Sequence, residues 1–286
     1  MAGMVDEAPR PLEPALREHG KPHQDSGSCI PYAIYEMVRA MAKASAPAAS
    51  VEIVCPADGE VLGTVVHGGA EAMAAAIGRA ADAFATGAWS ALDGPARGRA
   101  VLRLADLLDG EIDDLARLDA LQTGRPIREM QAQVGRLSEW LRYHASLAFT
   151  YESAVLPFPG AYRAYTVEQP LGVCGLITPW NHPLLILVKK AAPALAAGNA
   201  IVVKPSELTP LSTLRFAELT VEAGIPEGTV QVVPGGAEEG RALVGDPRIA
   251  RLDVTGGTAT GRAIAGAAGA NLVPLKGDAE TPNLPE

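Results

Sequence analysis

Two short apolar runs, Val51–Val54 and Val61–Val66, flank Pro56-Ala57-Asp58-Gly59. Asp-Gly between such runs predicts a β-hairpin. Four helical stretches follow. Ala70–Thr86 is Ala-rich and stops at Gly87. Pro95–Leu108 carries Val101, Leu102, Leu104, Ala105 and Leu108 on one side. Glu111–Thr123 closes at Gly124, a natural C-terminal cap, and Ile127 to about Leu147 is the longest, with Leu137, Trp140, Leu141 and His144 along one face. His144 there reads as a partly buried structural histidine. Before the hairpin, residues up to about Ser28 are rich in Pro, Glu, His and Gly and read as a mobile tail. Ile34, Met37, Val38 and Met41 mark an amphipathic helix over Ile30–Ala44 that covers an apolar surface.

After Pro157 and Pro159 the period changes. Tyr162–Val167 alternates like a strand. From Gly172 the pattern repeats strand then helix: strands at Gly172–Ile177, Ala200–Val203, Thr229–Val233, Ile249–Val254 and Leu272–Leu275, with helices at Leu184–Ala196, Pro210–Ala223, Ala237–Val244 and Thr258–Ala268 between them. Strands joined by helices of this length need crossover connections, so the sheet is expected to be mostly parallel. About five such units fall short of the eight of a closed barrel. The expected architecture is a doubly wound α/β sheet with flanking helices, preceded by a β-hairpin and a helical segment. The domain division is an N-terminal extension over residues 1–50 and one nucleotide-binding unit over 51–286. A sheet of this kind binds its ligand beyond the C-terminal strand ends.

Composition narrows the function classes. Aromatic residues make up 5% of the 286 residues against 48% hydrophobic, so the core is built from Ala, Val, Leu and Ile. A formal net charge of -9 argues against a nucleic-acid surface and against attraction to anionic membrane. No apolar run is long enough to span a bilayer, and the N-terminus lacks a signal-peptide pattern, so a cytoplasmic, reduced protein is expected. Three cysteines, Cys29, Cys55 and Cys174, do not make a disulfide framework or a zinc spacing. His23, Asp25 and Cys29 lie close together, but such a grouping in a short polar segment is commonly accidental, and no metal is expected.

Three strand ends carry the candidate chemistry. Ile177-Thr178-Pro179-Trp180-Asn181 places a rigid bend, a large flat side chain and an amide at the sheet's edge. The Asn181 amide is a donor for a developing oxyanion, although Asn after a strand is also a common turn former. Lys204-Pro205-Ser206-Glu207 offers a cation for ribose or phosphate and a carboxylate for the two hydroxyls of an adenosine ribose. That carboxylate would repel a 2′-phosphate and favours NAD over NADP. A surface Lys–Glu pair is the plainer alternative. Thr255-Gly256-Gly257-Thr258-Ala259-Thr260-Gly261 joins a strand to a helix, where glycines admit close backbone approach and the helix N-terminus favours an anion. It matches neither the Walker loop, since Arg262 and Ala263 follow the last glycine, nor G-x-G-x-x-G.

Taken together, in this order and spacing, these segments resemble the N-terminal portion of the aldehyde dehydrogenase superfamily from about Val51 to Asn283. The strongest stretch runs from Gln169-Pro170-Leu171-Gly172-Val173 through Thr178-Pro179-Trp180-Asn181-His182-Pro183 and Ala192-Pro193-Ala194-Leu195-Ala196-Ala197-Gly198-Asn199 to Lys204-Pro205-Ser206-Glu207-Leu208-Thr209-Pro210. The resemblance implies a Rossmann-like NAD(P)-binding domain. It implies that Ile177, Thr178, Pro179 and Trp180 line the cofactor and that Lys204 and Glu207 hold the adenosine ribose. Gly236 is implied near the adenine, Gly256 and Gly257 at the pyrophosphate, and Asn181 at the oxyanion position.

The sequence also departs from that pattern. The resemblance implies a second domain with a catalytic cysteine, whereas the sequence stops at Glu286 and none of its three cysteines maps to the nucleophile. Where the family reads Leu-Glu-Leu-Gly-Gly-Lys-Ser-Pro-Asn, with the Glu as general base, this chain reads Leu275-Lys276-Gly277-Asp278-Ala279-Glu280-Thr281-Pro282-Asn283. A protonated Lys276 cannot accept a proton from water. Gly257 replaces a common serine, Thr260 an apolar residue and Val254 a Phe, which should weaken NAD binding. The expectation is a non-catalytic or structural subunit that retains an NAD site. The alternatives are the cofactor half of a split enzyme whose partner supplies the cysteine, or a remnant. Each of the first two implies a further protein chain, or a second copy of this one, over the surface that the second domain would cover. Substrate contacts from this half are confined to Asn181, with Trp140 and His144 as further candidates.

Overall fold

The computed structural model describes residues 50–280. The extension expected over residues 1–50, its amphipathic helix and the His23–Cys29 grouping lie outside the described residues, apart from Ser50.

The hairpin forms as expected: β1 (Ser50–Val54) pairs antiparallel with β2 (Val61–Val66) around the Asp58-Gly59 turn. Four predicted helices become five. They are α1 (Gly69–Ala85), α2 (Gly94–Gly110), α3 (Ile112–Thr123), α4 (Ile127–Val134) and α5 (Leu137–Phe149). Helix α3 ends at Gly124, whose φ of 73° takes the left-handed conformation that glycine adopts without strain. The single helix expected from Ile127 to Leu147 is broken at Gly135-Arg136, where the Arg136 N–H donates to Gln133 O in a tightened turn. The apolar stripe Met130, Val134, Leu137, Leu141, Ala145 runs through the break in phase, so periodicity alone does not reveal it.

Two-residue strands β3 (Val155–Leu156) and β4 (Ala164–Tyr165) form a small exposed ribbon, shorter than the strand expected over Tyr162–Val167. The main sheet follows as β5 (Val173–Ile177), α6 (Pro183–Ala196), β6 (Ala200–Lys204), α7 (Leu211–Glu222), β7 (Val230–Val232), α8 (Ala237–Gly245), β8 (Ile249–Gly257), α9 (Thr258–Ala270) and β9 (Leu275–Glu280). The strand order is β7-β6-β5-β8-β9, and every pairing is parallel. The chain steps outward from β5 to β6 and β7, then returns to the other side of β5 to lay down β8 and β9. The reversal opens a crevice between the C-terminal ends of β5 and β8, the ligand position of a doubly wound sheet.

Strands β5 and β6 are buried at every position, which explains their unbroken apolar runs. Cys174, Leu176, Ile201 and Val203 face one layer, packed by α2, α5, α6 and α7. Val173, Ile177, Ala200 and Val202 face the other, with α1 and α8. Between them, a Cβ on Gly175 would lie 2.8 Å from Leu252 and 3.3 Å from Leu243, so glycine is what lets α8 lie so close to the sheet.

Two strand boundaries differ from expectation at the far end of the sheet. Leu272 sits at φ 55° just past α9, and Pro274 has no N–H to give, so the last strand starts at Leu275 instead of Leu272. It then runs far enough to pair Thr255, Gly256 and Gly257 with Asp278, Ala279 and Glu280. The stretch Thr255–Gly257, expected as a loop, is therefore the end of β8.

Helix ends are finished by side chains from distant helices. The Arg97 and Arg103 guanidinium groups on α2 donate to Ala196 O and Ala223 O, at or just beyond the C-termini of α6 and α7. On α3, Asp119 Oδ1 accepts from Gln122 Nε2 at 2.8 Å. Gln122 Oε1 accepts from the Leu211 N–H at the start of α7 at 3.0 Å. The groups that a helix leaves unpaired at its ends are thereby satisfied.

Candidate functional site

The register of the sheet brings the three expected segments to one edge. Ile177 is paired with Lys204 on one side and Val254 on the other. With neighbouring strands about 5 Å apart, Thr178–Asn181, Lys204–Glu207 and Thr255–Gly257 emerge side by side.

At the end of β5, the Thr178 N–H donates to Lys204 O at 3.2 Å. Its hydroxyl is enclosed and has no hydrogen-bond partner among the described residues. Pro179 is buried beside it, whereas Trp180 is 52% exposed. The Trp180 carbonyl accepts from the Thr209 hydroxyl at 3.1 Å, which ties this turn to the one after β6. Asn181 is partly buried. His182 is the residue before α6, and its Nδ1 lies 2.8 Å from Gln133 Oε1.

At the end of β6, Lys204 is buried, and its Nζ is 3.8 Å from Glu207 Oε2. Burial lowers the Lys204 pKa, opposed by the charges of Glu207 and Glu239. This is not the exposed surface pair of the plainer alternative. Glu207 is partly open to water, and a Cβ built on Gly236 would lie 3.8 Å from Glu207 Oε1, so Gly236 sits beside the Lys204–Glu207 pair. Glu239 is buried beneath it, accepting from the N–H groups of Gly236 and Gly69 at 2.9 and 3.1 Å. At the end of β8, the space above Gly256 and Gly257 is open, since a Cβ on either would meet nothing within 4 Å. Helix α9 starts there with no side-chain cap and no acidic residue in its first turn. The start of α7 is capped by Gln122, and that of α8 carries Glu238 and Glu239. The start of α9, opening onto bare glycine backbone, is thus suited to an anion.

The diverged segment is different in kind. Lys276 Nζ is 4.0 Å from Asp253 Oδ2, its register partner on β8, and 4.0 Å from Asp278 Oδ2. Asp253 also forms an ion pair with Lys190, a buried residue of α6. Lys276 and Asp278 are exposed, so this face of β8 and β9 is left to water and carries charge. Sequence reading missed Asp253, Lys190, Glu239 and Asp119. The signal for the first two was a charge inside an otherwise apolar strand and helix.

Cys55 and Cys174 are both buried free thiols. Burial, more than the nearby charges of Arg251 and Asp253, pushes the Cys174 thiol up to about 11, so it is not a thiolate at neutral pH. Lys189 Nζ lies 5.1 Å from the Trp140 ring centre, and His144 packs edge-on against Tyr143, its pKa lowered by burial. Neither Trp140 nor His144 belongs to the strand-end cluster. A cavity of about 520 Å³ between the hairpin turn and α3–α4 is lined by none of the strand-end residues. Among the described residues no group of His, Cys, Asp and Glu could hold a metal ion, and no helix is long and apolar enough to cross a membrane.

Residues 42–279 match the aldehyde dehydrogenase family model. The chain belongs to the aldehyde dehydrogenase family. It is 40% identical over 237 residues to betaine aldehyde dehydrogenase of Bacillus subtilis, covering 81% of this chain and 48% of that protein. It is 43% identical over 231 residues to phenylacetaldehyde dehydrogenase of Pseudomonas fluorescens, covering 78% and 46%. Betaine aldehyde dehydrogenase of Staphylococcus aureus, solved in complex with NAD+, superposes with a TM-score of 0.79 at 36% identity, covering 81% of this chain and 46% of that one. PnpE in complex with nicotinamide adenine dinucleotide gives a TM-score of 0.78 at 41% identity, covering 81% and 47%. The chain spans about half the length of the curated relatives it matches, and in them the matched region is the N-terminal, NAD-binding half.

Proposed function

We propose that this chain binds NAD in preference to NADP, more weakly than the relatives it resembles, and that it does not oxidise an aldehyde by itself. It acts as a non-catalytic subunit. The observation that carries this reading is the pairing of a buried Lys204 with Glu207 at the crevice, set against a lysine at the general-base position. The donor set suits the ligand. Lys204 donates and Glu207 accepts at a ribose diol, and the Glu207 carboxylate disfavours a 2′-phosphate. The open backbone at Gly256 and Gly257, with the uncapped start of α9, suits a pyrophosphate. Thr178 offers an enclosed hydroxyl, Trp180 a flat exposed face, Ile177 and Pro179 an apolar wall, and Gly236 room near the adenine. Bound NAD would supply a hydride acceptor.

What this chain's own residues supply stops short of the oxidation. That chemistry needs a thiolate to attack the aldehyde and a base to activate water. Cys55 and Cys174 are buried in the core. Lys276 shares its charge with Asp253 and Asp278 and has no lone pair for a proton while it stays protonated. Asn181 would stabilise an oxyanion, and among the described residues the two cysteines are buried away from solvent. A partner chain or a second copy is expected on the water-facing side of β8–β9 and on the exposed apolar residues from Trp140 to Leu171.

Calorimetry with NAD and NADP, run alongside an aldehyde oxidation assay on the purified chain, tests the reading. NAD binding stronger than NADP binding, without turnover, is the expected result. No binding at millimolar NAD would defeat the cofactor assignment, and turnover by the chain alone would defeat the non-catalytic one. Turnover only after adding a cysteine-bearing second chain would establish the split enzyme instead.

A further inference from the structure

We infer that Glu239 is a positioning residue for the adenosine end of the crevice: its one buried carboxylate ties the turn that carries Gly236 to the start of α1, so that nucleotide affinity depends on the segment that begins at the hairpin. Its role toward a nucleotide rests on the NAD reading, whereas the tie itself is a matter of geometry. Glu239 is the third residue of α8 and is 4% exposed. Its Oε2 accepts from the Gly236 N–H at 2.9 Å, the reach-back of a capping box, which needs only one oxygen. The other oxygen goes elsewhere. Oε1 accepts at 3.1 Å from the N–H of Gly69, which opens α1 170 residues earlier. Helix α1 has no side-chain cap of its own at Gly68. Glu238 completes the join, since its Oε1 accepts from the Ala70 N–H at 3.2 Å. Two consecutive acids at the start of one helix therefore serve two consecutive N–H groups at the start of another. Negative charge is favourable at a helix N-terminus, and the Glu239 carboxylate lies at two of them.

The turn before α8 is shaped around this carboxylate. A Cβ on Gly235 would fall 2.2 Å from Glu239 Cδ and 2.5 Å from Oε2. Gly235 is not among the glycines with a left-handed φ, so the carboxylate and not the backbone conformation is what excludes a side chain there. A carboxylate at this depth is costly without partners, and losing either backbone bond would leave one oxygen unsatisfied. The tied residue also borders the site. A Cβ on Gly236 would lie 3.8 Å from Glu207 Oε1, and Glu207 is the partner of Lys204. Glu239 is buried beneath these groups and acts on a ligand through Gly236.

Hydrogen exchange and calorimetry on the full chain test the tie and its role separately. Without ligand, Glu239→Ala should speed exchange in peptides over 67–72 and 234–240 about tenfold, the loss of one charge-assisted bond at each end, and leave α9 unchanged. Titrated with NAD and with AMP, the same variant should lose about tenfold in affinity for both, because the defect lies in the part that the two ligands share. Glu239→Gln keeps an oxygen for one of the two N–H groups and should recover part of the loss. Gly235→Ala keeps the carboxylate but displaces it, so it should copy Glu239→Ala. The double variant should then bind no more weakly than Glu239→Ala alone, a non-additivity that a general loss of stability would not produce. A folded Glu239→Ala chain with unchanged exchange over 67–72 would overturn the tie. Faster exchange with unchanged AMP and NAD affinity would overturn the positioning role, and so would additive losses in the double variant. If Glu239→Ala does not fold, Glu239→Gln and Gly235→Ala decide by the same readings. If the unsubstituted chain binds neither NAD nor AMP, the NAD reading fails and the positioning role with it, while the exchange result still judges the tie.

Discussion

The two sides of the sheet's C-terminal edge use charge in opposite ways. At the end of β6, charged groups gather in a partly enclosed cluster: the buried Lys204 lies beside the half-open Glu207, and Glu239 is spent on backbone N–H groups. Between β8 and β9, charges neutralise one another: Asp253 lies between the buried Lys190 and the exposed Lys276, with Asp278 beyond. A site that binds an ion keeps some charge unspent, whereas a cluster whose charges pair with one another holds the structure together instead. The first side has the character of a site and the second that of an ion-pair network.

The largest test of this contrast removes Asp253. Asp253→Ala leaves Lys190 buried and unpaired, and stability in urea denaturation should fall by about 3 kcal/mol or more. A loss below about 1 kcal/mol would mean that the cluster behaves as an ordinary surface pair.

The next uses pH. Asp119 is raised from 3.8 to about 6, so the folded state holds its proton more tightly than the unfolded one. Its contribution to stability is fully present below pH 3.8 and is lost as pH rises through about 6. The expected size is about 3 kcal/mol, from roughly two pKa units. Asp109, Glu129 and Asp246 are lowered and act in the opposite sense, losing stability on acidification. The quantity to measure is therefore the difference between the original chain and Asp119→Asn from pH 4 to 7, which should slope with pH; a flat difference would refute the assignment.

The smaller effects sharpen the crevice itself. Lys204→Ala should weaken NAD binding about tenfold, the loss of one charge-assisted hydrogen bond, with NADP affected as much. Glu207→Gln should leave NAD binding within a few-fold and narrow its preference over NADP, as measured by paired titrations. Equal losses for both nucleotides would remove Glu207 from the ribose.

Much of this was legible in the sequence. Period-2 and period-3.6 patterns located the hairpin, the helices and the five strands of the parallel sheet, because each element buries its own stripe. Three strand ends could be assigned to one edge because a parallel sheet has to put them there. Two kinds of feature stayed hidden. Gly135 breaks a helix without disturbing the phase of Met130, Val134 and Leu137, so no local pattern marks it. Pairings between distant segments leave no periodic trace at all: Gln122 with Leu211, Lys190 with Asp253, and β9 with the glycine stretch of β8. The roles of Lys204 and Glu207 were expected from resemblance, yet burial of the lysine could be seen only in three dimensions.

The distant caps on α6 and α7 also bear on how the chain matures. Arg97, Arg103 and Gln122 all precede the helices whose ends they complete. During synthesis, which proceeds from the N-terminus, the acceptors and donors are in place before α6 and α7 emerge. Each new helix then docks on a waiting template and does not have to close a loop toward residues still to come. Mistakes in α2 or α3 would therefore register as late failures, with the sheet's own helices left frayed although their sequences are intact.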